Sequence, residues 1–197
     1  MGRGPKYKKS LRRRREGKTD YHKRLKLLKS RKLRVVVRAS KNHMRVQIIK
    51  SNFGGDKILT SAFSKELFSK FGWKANTGNI PAAYLTGYLA GKRALSKNIQ
   101  EAIFDLGIFY HKNRVLAACK GIIDAGLNIH HREEFFPESL IERIKGSHIE
   151  NYAKILKANE TEKYEYVFSS YLNKKKVDPL KINQLFSNSL KLINNNA

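Results

Sequence analysis

The first 32 residues are strongly basic and carry almost no large apolar side chain before Leu25. Such a segment has little to bury, so it cannot contribute much to a hydrophobic core. We therefore expect residues 1–32 to form an arm that becomes ordered on a partner, extended except for a short helix from Tyr21 to Lys29. A folded core can begin only at Leu33, where the pattern changes.

The segment after the arm shows the two-residue alternation that is typical of β-strands. In the first strand Val35 and Val37 fall on one face, and Arg34 and Arg38 fall on the other. Short turns, one of them marked by two glycines, connect the segments. The pattern predicts a three-stranded antiparallel meander with one apolar and one basic face. The predicted strands are 33–40, 44–51 and 57–63.

Helix and strand patterns alternate after the meander. Asn79 and Pro81 mark the start of a helix, and Gly87 and Gly91 would let this helix lie close against the sheet. A strand-helix-strand-helix unit therefore extends the meander, which predicts an α/β (α+β-like) fold with helices packed against a sheet. The predicted helices are 64–71, 81–98 and 113–126, and a buried strand is predicted over 101–108.

Beyond residue 128 the chain is predicted to be helical and peripheral. Ser147 and Glu150 have the spacing of a capping box, the lysines at 174–176 indicate a hinge, and the Asn-rich end is expected to fray. The helices predicted here are 137–144, 147–157 and 160–172. The chain is thus divided into a basic arm (1–32), an α/β core domain (33–128) and a helical C-terminal extension (129–197).

The charge of the chain is large and unevenly distributed. Its 41 Lys and Arg and 16 Asp and Glu give a net charge of +25, and residues 1–50 alone hold 20 basic and two acidic side chains. Such an arm favours a polyanionic partner, because guanidinium groups bind phosphates bidentately and aromatic rings stack on unpaired bases. Nucleic acid is the expected partner. A solvated tail, a nuclear-import signal, a membrane tether and a DNA-binding protein are the alternatives.

The stretch Gly17-Lys18-Thr19 looks like the end of a phosphate-binding loop. Such a loop needs another glycine five residues before its second glycine, where this chain has Arg12, and it needs an apolar strand ahead, where this chain has arginines. Backbone amides could not wrap phosphates in that setting. A nucleotide site is therefore not expected here.

Catalytic and metal-binding constellations are not visible in the sequence. His130, His131, Glu133 and Glu134 lack a spacing that places two histidines on one helical face, so a polar loop is expected. Cys119, the only cysteine, is expected to be a buried thiol in a reduced, cytoplasmic protein. No apolar run approaches the roughly 18 residues of a membrane span. We expect no enzyme activity, cofactor, metal or small-molecule substrate.

Several stretches of the sequence are similar to one known family. They are RRRREGKTDYHKRLKLLKS (12–30) followed by LRVVVRASKNHMRVQII, then GWKANTGNIPAAYLTGYLAGKRAL (72–95), and AACKGIIDAGLNIHH with ERIKGSHIENYA. Together they resemble the universal large-subunit ribosomal protein family numbered eighteen, in its archaeal and eukaryotic form. The resemblance covers roughly residues 3–157.

The resemblance implies a structural constituent of the large ribosomal subunit that binds 5S rRNA and helps attach it to the large-subunit rRNA in the central protuberance, beside neighbouring ribosomal proteins. It also implies a mixed sheet packed with helices. An RNA-modifying or nucleotide-using enzyme with a basic arm is the alternative function. The RNA-binding residues expected from the arm and from the resemblance are Arg3, Lys6, Tyr7, Lys8, Lys9, Arg12, Arg13, Arg14, Arg15, Lys18, Thr19, Tyr21, Arg24, Arg34, Arg38, Arg45, Trp73, Lys74, Thr77, Gly78 and Asn79.

Overall fold

The computed structural model describes residues 4–108 and 112–196. Its arm contains a single helical turn, α1 (Arg12–Arg15), and a second helix, α2 (Tyr21–Lys29). The prediction of α2 is confirmed, and Asp20 caps this helix by accepting a hydrogen bond from the Lys23 amide at 3.1 Å. The prediction that the four arginines are extended is wrong. They form α1, which Gly17 closes by adopting a φ of 60°.

Four strands form the sheet, and they are β1 (Arg34–Ala39), β2 (Met44–Asn52), β3 (Gly55–Phe63) and β4 (Ile103–Asp105). Their order is β3-β2-β1-β4, with β1, β2 and β3 antiparallel and β4 parallel to β1. The predicted meander and mixed sheet are confirmed. The strand predicted over 101–108 is only three residues long, because the chain turns away after Asp105 and Gly107 takes a φ of 63°.

Three helices follow β3 and flank β4, and they are α3 (Ser64–Lys70), α4 (Ile80–Leu95) and α5 (Asn113–Asp124). The unit β3-α4-β4-α5 confirms the predicted strand-helix-strand-helix order. The prediction that Gly87 and Gly91 lie against the sheet is wrong, because both glycines lie against α5. A Cβ on Gly87 would lie 2.0 Å from the Ala118 carbonyl oxygen, and one on Gly91 would lie 2.6 Å from the Ala125 Cβ. The two glycines therefore permit the close approach of α4 and α5.

The C-terminal part is helical, as predicted, and it contains one long helix, α9 (Ile182–Asn196), that was not predicted. Its other helices are α6 (Glu138–Ile144), α7 (Ser147–Asn159) and α8 (Thr161–Ser169), with a π-helical turn at Ser170–Lys174. The predicted capping box is wrong, because Gly146 precedes α7 and the Glu150 carboxylate accepts hydrogen bonds from Asn183 instead.

The Asn-rich end at 194–197 was predicted to fray, but α9 continues to Asn196, and Asn194 Oδ1 accepts a hydrogen bond from the Tyr88 hydroxyl at 2.7 Å. Ala197 lies outside the described residues. Ile182, Phe186 and Ile193 of α9 are buried.

The buried apolar side chains form one cluster between the sheet and the helices. Val35, Val37 and Val46 line the inner face of the sheet, and the same cluster contains Leu140 of α6 and Ile193 of α9. On the opposite side α2 contacts β4, so that the arm lies beside the second face of the sheet. Within the described ranges, no helix has both the length and the apolar composition that crossing a membrane requires.

Candidate nucleic-acid interface

The basic side chains that precede α2 are exposed on a compact turn. Arg13 Nε donates a hydrogen bond to Thr19 Oγ1 at 2.8 Å, and the Glu16 carboxylate lies 2.8 Å from Lys18 Nζ and 3.8 Å from Arg12 Nε. These contacts order the turn without covering its cations. The exposed predicted residues here are Lys6, Tyr7, Lys8, Lys9, Arg12, Arg13, Arg14, Arg15 and Lys18. Arg3 lies outside the described residues.

The turn and α2 fold back over the second face of the sheet and bound a groove of about 370 Å³. Two acidic residues, Asp20 and Asp105, contribute to a lining that is otherwise mainly basic. The structure therefore brings together six of the predicted residues from the arm and from β1. They are Arg13, Lys18, Thr19, Tyr21, Arg24 and Arg38.

A chain of alternating charges joins the arm to the sheet. Arg24 of α2 and Arg34 of β1 both bind Asp56 Oδ2, at 2.9 and 2.7 Å. Arg34 also binds Asp105 Oδ2 at 2.7 Å, and Arg38 binds Asp105 Oδ1 at 3.0 Å. Burial opposes ionisation of Asp56, but hydrogen bonds from Arg24 and Arg34 outweigh it and hold the pKa of Asp56 below its ordinary value. We call these five residues the charge network.

The prediction that Arg34 lies on an exposed basic face is wrong. Its side chain is 1% exposed and is enclosed by the two carboxylates of the network and by Ser51, whose Oγ lies 3.1 Å from an Arg34 nitrogen. A guanidinium group can be buried only when such partners satisfy it. Arg34 therefore holds strands and arm together and has no exposed surface to offer a partner.

Arg38 and Arg45 are both exposed and stand directly opposite each other in the pairing of β1 with β2. Arg38 keeps 42% of its side chain accessible despite its contacts with Asp105. The Arg45 guanidinium lies 5.2 Å from the centre of the Phe63 ring. Their side chains extend to opposite sides of this strand pair, one towards Asp105 of β4 and the other towards Phe63 of β3, which keeps the like charges apart. Both guanidinium groups remain accessible to an anion.

The loop that starts at Trp73 mainly supports the fold. Trp73 is fully buried, and its Nε1 donates to the Asn76 carbonyl at 3.1 Å. Asn79 caps α4 by accepting a hydrogen bond from the Ala82 amide at 2.9 Å. The structure thus places Trp73, a predicted RNA contact, in the core. Lys74 presents the exposed charge of this loop.

The second half of this loop is locked to the turn between β1 and β2. Thr77 Oγ1 donates to the Asn42 carbonyl at 2.9 Å. A Cβ on Gly78 would lie 3.0 Å from the Lys41 carbonyl oxygen, so the two segments are in close contact. Arg114 of α5 donates to the carbonyls of Ser40 and Gly78, at 2.8 and 3.1 Å. Thr77 and Gly78 therefore set the shape of the surface.

Lys175 is a residue of this region that the sequence analysis assigned to a hinge and not to the candidate interface. It lines a polar cavity of about 540 Å³ between the loop, the β1–β2 turn and the C-terminal extension. Its Nζ donates to the Ala75 carbonyl at 2.9 Å and to Asn76 Oδ1, and burial lowers the pKa of Lys175. The contact with Ala75 spans 100 positions of the chain, so local patterns carry no signal for it.

The histidine and cysteine residues considered in the sequence as metal-binding or catalytic candidates include His131 and Cys119, and both have contacts typical of the protein interior or of a loop. His131 Nδ1 lies 2.8 Å from the Ile129 carbonyl oxygen, and its ring packs edge-on against Phe136 at 5.4 Å. In the described part of the chain, no group of three or more His, Cys, Asp or Glu side chains could hold a metal ion. The prediction that Cys119 is a buried thiol is confirmed, and burial raises the pKa of Cys119.

Comparison with known proteins gives a consistent result. Residues 5–107 match the family described as ribosomal large subunit proteins 60S L5 and 50S L18. The chain is 48% identical over 178 residues to large ribosomal subunit protein uL18 of Aeropyrum pernix. This alignment covers 88% of this chain and 81% of that relative. It is also 48% identical over 176 residues to uL18 of Methanothermobacter thermautotrophicus, which covers 88% of each. These shares exceed residues 3–157, so the similarity continues into the C-terminal helices. The chain therefore belongs to the L5 and L18 family of large-subunit ribosomal proteins.

Proposed function

We propose that this chain binds 5S rRNA and helps attach it to the large-subunit rRNA in the central protuberance. Its family makes it a structural, non-enzymatic constituent of the large ribosomal subunit in the cytoplasm. The observation that carries the proposal is the groove in which Arg13 and Lys18 of the arm meet Arg38 of the sheet. Other large-subunit proteins of the protuberance would be its neighbours. The family membership decides against an RNA-modifying or nucleotide-using enzyme.

The geometry of α1 supports a role in joining two RNA segments. Successive residues on an α-helix point about 100° apart. Four consecutive arginines, Arg12–Arg15, therefore project in all directions around the helix, and all four are exposed. A single flat surface could contact only some of them. An arm inserted between RNA backbones would use all four, because each guanidinium group could bind a different phosphate.

The structure separates the proposed contacts from the residues that shape the surface. Arg24 and Arg34 hold the arm and the sheet together through the charge network, and Trp73, Thr77, Gly78 and Asn79 fix the loop. The proposed direct contacts are the exposed cations and the tyrosines at the arm. They are Lys6, Tyr7, Lys8, Lys9, Arg12, Arg13, Arg14, Arg15, Lys18, Tyr21, Arg38, Arg45 and Lys74.

Replacement of all four residues of Arg12–Arg15 by glutamine tests the proposal. Glutamine has nearly the same helix propensity as arginine, so α1 should persist. Filter binding to 5S rRNA at several salt concentrations should show much weaker binding. The slope of log affinity against log salt should fall by about three units, since each lost phosphate contact contributes about 0.7–0.9.

A charge-matched control removes four cations from the C-terminal helices and the turn between them. The variant carries glutamine at Lys154, Lys157, Lys174 and Lys191, which are exposed. It should keep nearly the wild-type slope. Equal slopes for the two variants would contradict the proposal, because binding would then depend on net charge alone. Excess duplex DNA should displace little 5S rRNA from the wild-type protein at moderate salt. Efficient displacement would instead favour a DNA-binding protein.

A further inference from the structure

Phe53 occupies the tip of the β2–β3 hairpin and is completely exposed. Its accessible surface, 115% of the reference value, is the largest among the exposed large hydrophobic side chains of the described residues. A phenylalanine in this position contributes nothing to the core and leaves a large apolar ring in water. The fold therefore gives no structural reason for an aromatic residue at this position.

The hairpin that carries Phe53 is firmly held. Asn52 pairs with Gly55 and Ser51 pairs with Asp56, so the turn itself contains only Phe53 and Gly54. The charge network anchors both strands at the base of the tip, since Arg34 binds the Ser51 hydroxyl and the Asp56 carboxylate. Phe53 is thus presented on an ordered support, close to the point where Arg24 of the arm also binds Asp56.

The side chains around the tip that carry an uncompensated charge are positive. Lys50 and Lys57 are both exposed and stand directly opposite each other in the pairing of β2 with β3. This is a second like-charge pair, and it destabilises the hairpin in the absence of an anion. Asp56, the acidic residue of the tip, is already bound by two arginines. The tip therefore combines an exposed aromatic ring with two cations.

We propose that Phe53 stacks on an unpaired rRNA base while Lys50 and Lys57 bind the phosphates beside it. The inference rests on the proposed function and extends it to a second contact beyond the groove. A ring between cations matches single-stranded RNA, whose bases stack on aromatic side chains and whose backbone is anionic. A docked protein would instead require a contiguous apolar patch, and the residues beside Phe53 are Asn52, Gly54 and Gly55.

Filter binding of the full-length protein to 5S rRNA, and separately to deproteinised large-subunit rRNA, tests the inference. Phe53→Ala should weaken binding to one of the two RNAs about 5- to 150-fold, which is the usual range for a lost base–aromatic stack. Phe53→Trp should retain binding. Its indole fluorescence should be quenched when the base stacks, against the background of Trp73, the single native tryptophan, which is buried. The RNA that responds supplies the base.

Phe68 on α3 provides a matched control, because it is also an exposed phenylalanine and is 53% accessible. Phe68→Ala should leave the affinity for both RNAs unchanged. Replacement of Lys50 and Lys57 by glutamine should lower the salt slope by one to two units, at about 0.7–0.9 per contact.

Three outcomes separate the inference from the function on which it rests. Wild-type affinity of Phe53→Ala for both RNAs, with weak binding by the variant that carries glutamine at Arg12–Arg15, would overturn the inference and leave the proposed function intact. Unquenched fluorescence of Phe53→Trp on saturated RNA would also overturn it. If the wild-type protein binds neither RNA, the proposed function fails and the inference fails with it.

Discussion

Arg34→Met tests whether the buried guanidinium group of Arg34 stabilises the fold of this chain and does not bind its RNA partner. Methionine replaces the apolar stem of the arginine side chain and removes the guanidinium group with its charge and hydrogen-bond donors. Asp105, whose side chain is 8% exposed, would lose its 2.7 Å contact with Arg34 and keep its contacts with Arg38 and with the Gly107 amide. Asp56 would keep Arg24. Removing one partner of a buried ion pair costs about 3–5 kcal/mol. Because each carboxylate retains one arginine, we expect the lower value, about 3 kcal/mol.

Urea unfolding followed by far-ultraviolet circular dichroism measures this loss. With a denaturant slope of about 2 kcal/mol per molar urea, the midpoint should fall by about 1.5 M. Arg45→Met is the matched control, because Arg45 is exposed on the neighbouring strand and forms no ion pair among the described residues. Its unfolding free energy should change by less than about 0.5 kcal/mol, whereas its affinity for 5S rRNA should fall several-fold.

The two variants should therefore show different defects, one in stability and the other in RNA binding. Arg34→Met should be less stable, and under conditions where it remains folded it should bind RNA better than Arg45→Met does. An unchanged urea midpoint for Arg34→Met, together with RNA binding as weak as that of Arg45→Met, would refute the reasoning. That result would mean that Arg34 leaves its carboxylates and contacts RNA directly.

Two further predictions concern acid stability and helix packing. Burial opposes ionisation of Asp56 and Glu66, but arginine hydrogen bonds outweigh it and hold the pKa of each below its ordinary value. The ionised carboxylates therefore stabilise the fold above about pH 4, and this stabilisation is lost as the pH falls through the folded pKa values. Urea midpoints measured from pH 6 to pH 3 should consequently fall less in Glu66→Gln than in wild type. Gly121→Ala places a Cβ 2.2 Å from the Tyr84 carbonyl oxygen and should reduce the unfolding free energy by about 3 kcal/mol in urea unfolding. Gly54→Ala meets nothing within 4 Å, and its change should stay below about 0.5 kcal/mol.

Local patterns predicted the elements whose signals lie within a few residues of sequence. The alternation of Val35 and Val37 indicated β1, and Asn79 before Pro81 indicated the start of α4. α9 was not predicted, although its sequence carries a helical pattern. Its apolar residues recur at intervals of three and four positions, at 182, 185, 186, 190 and 193. Local periodicity could have indicated this helix, but it could not have shown which part of the core the helix packs against.

The interface was predictable only where exposure follows from composition. Four consecutive cations in a segment with few apolar residues are expected to be exposed, and Arg12–Arg15 are exposed. Alternation placed Arg34 and Arg38 correctly on one face, but it could not show that Asp105 reaches Arg34 from 71 positions away. The same pattern therefore contains a buried structural residue and an exposed proposed contact. Only the sheet pairing distinguishes them.

The distribution of paired and unpaired charge explains how a chain of net charge +25 can remain folded. Inside the fold, the charge network sets two carboxylates among three arginines, so little repulsion remains where the dielectric constant is low. About half of the excess lies on residues 1–32, which hold 15 basic and two acidic side chains, and Arg45 and the cross-strand pair Lys50–Lys57 are among the exposed cations that make up the rest. Water and salt screen repulsion at these places, and a bound polyanion would remove it. RNA binding should therefore stabilise the sheet as well as order the arm, because the repulsion that it relieves lies between adjacent strands.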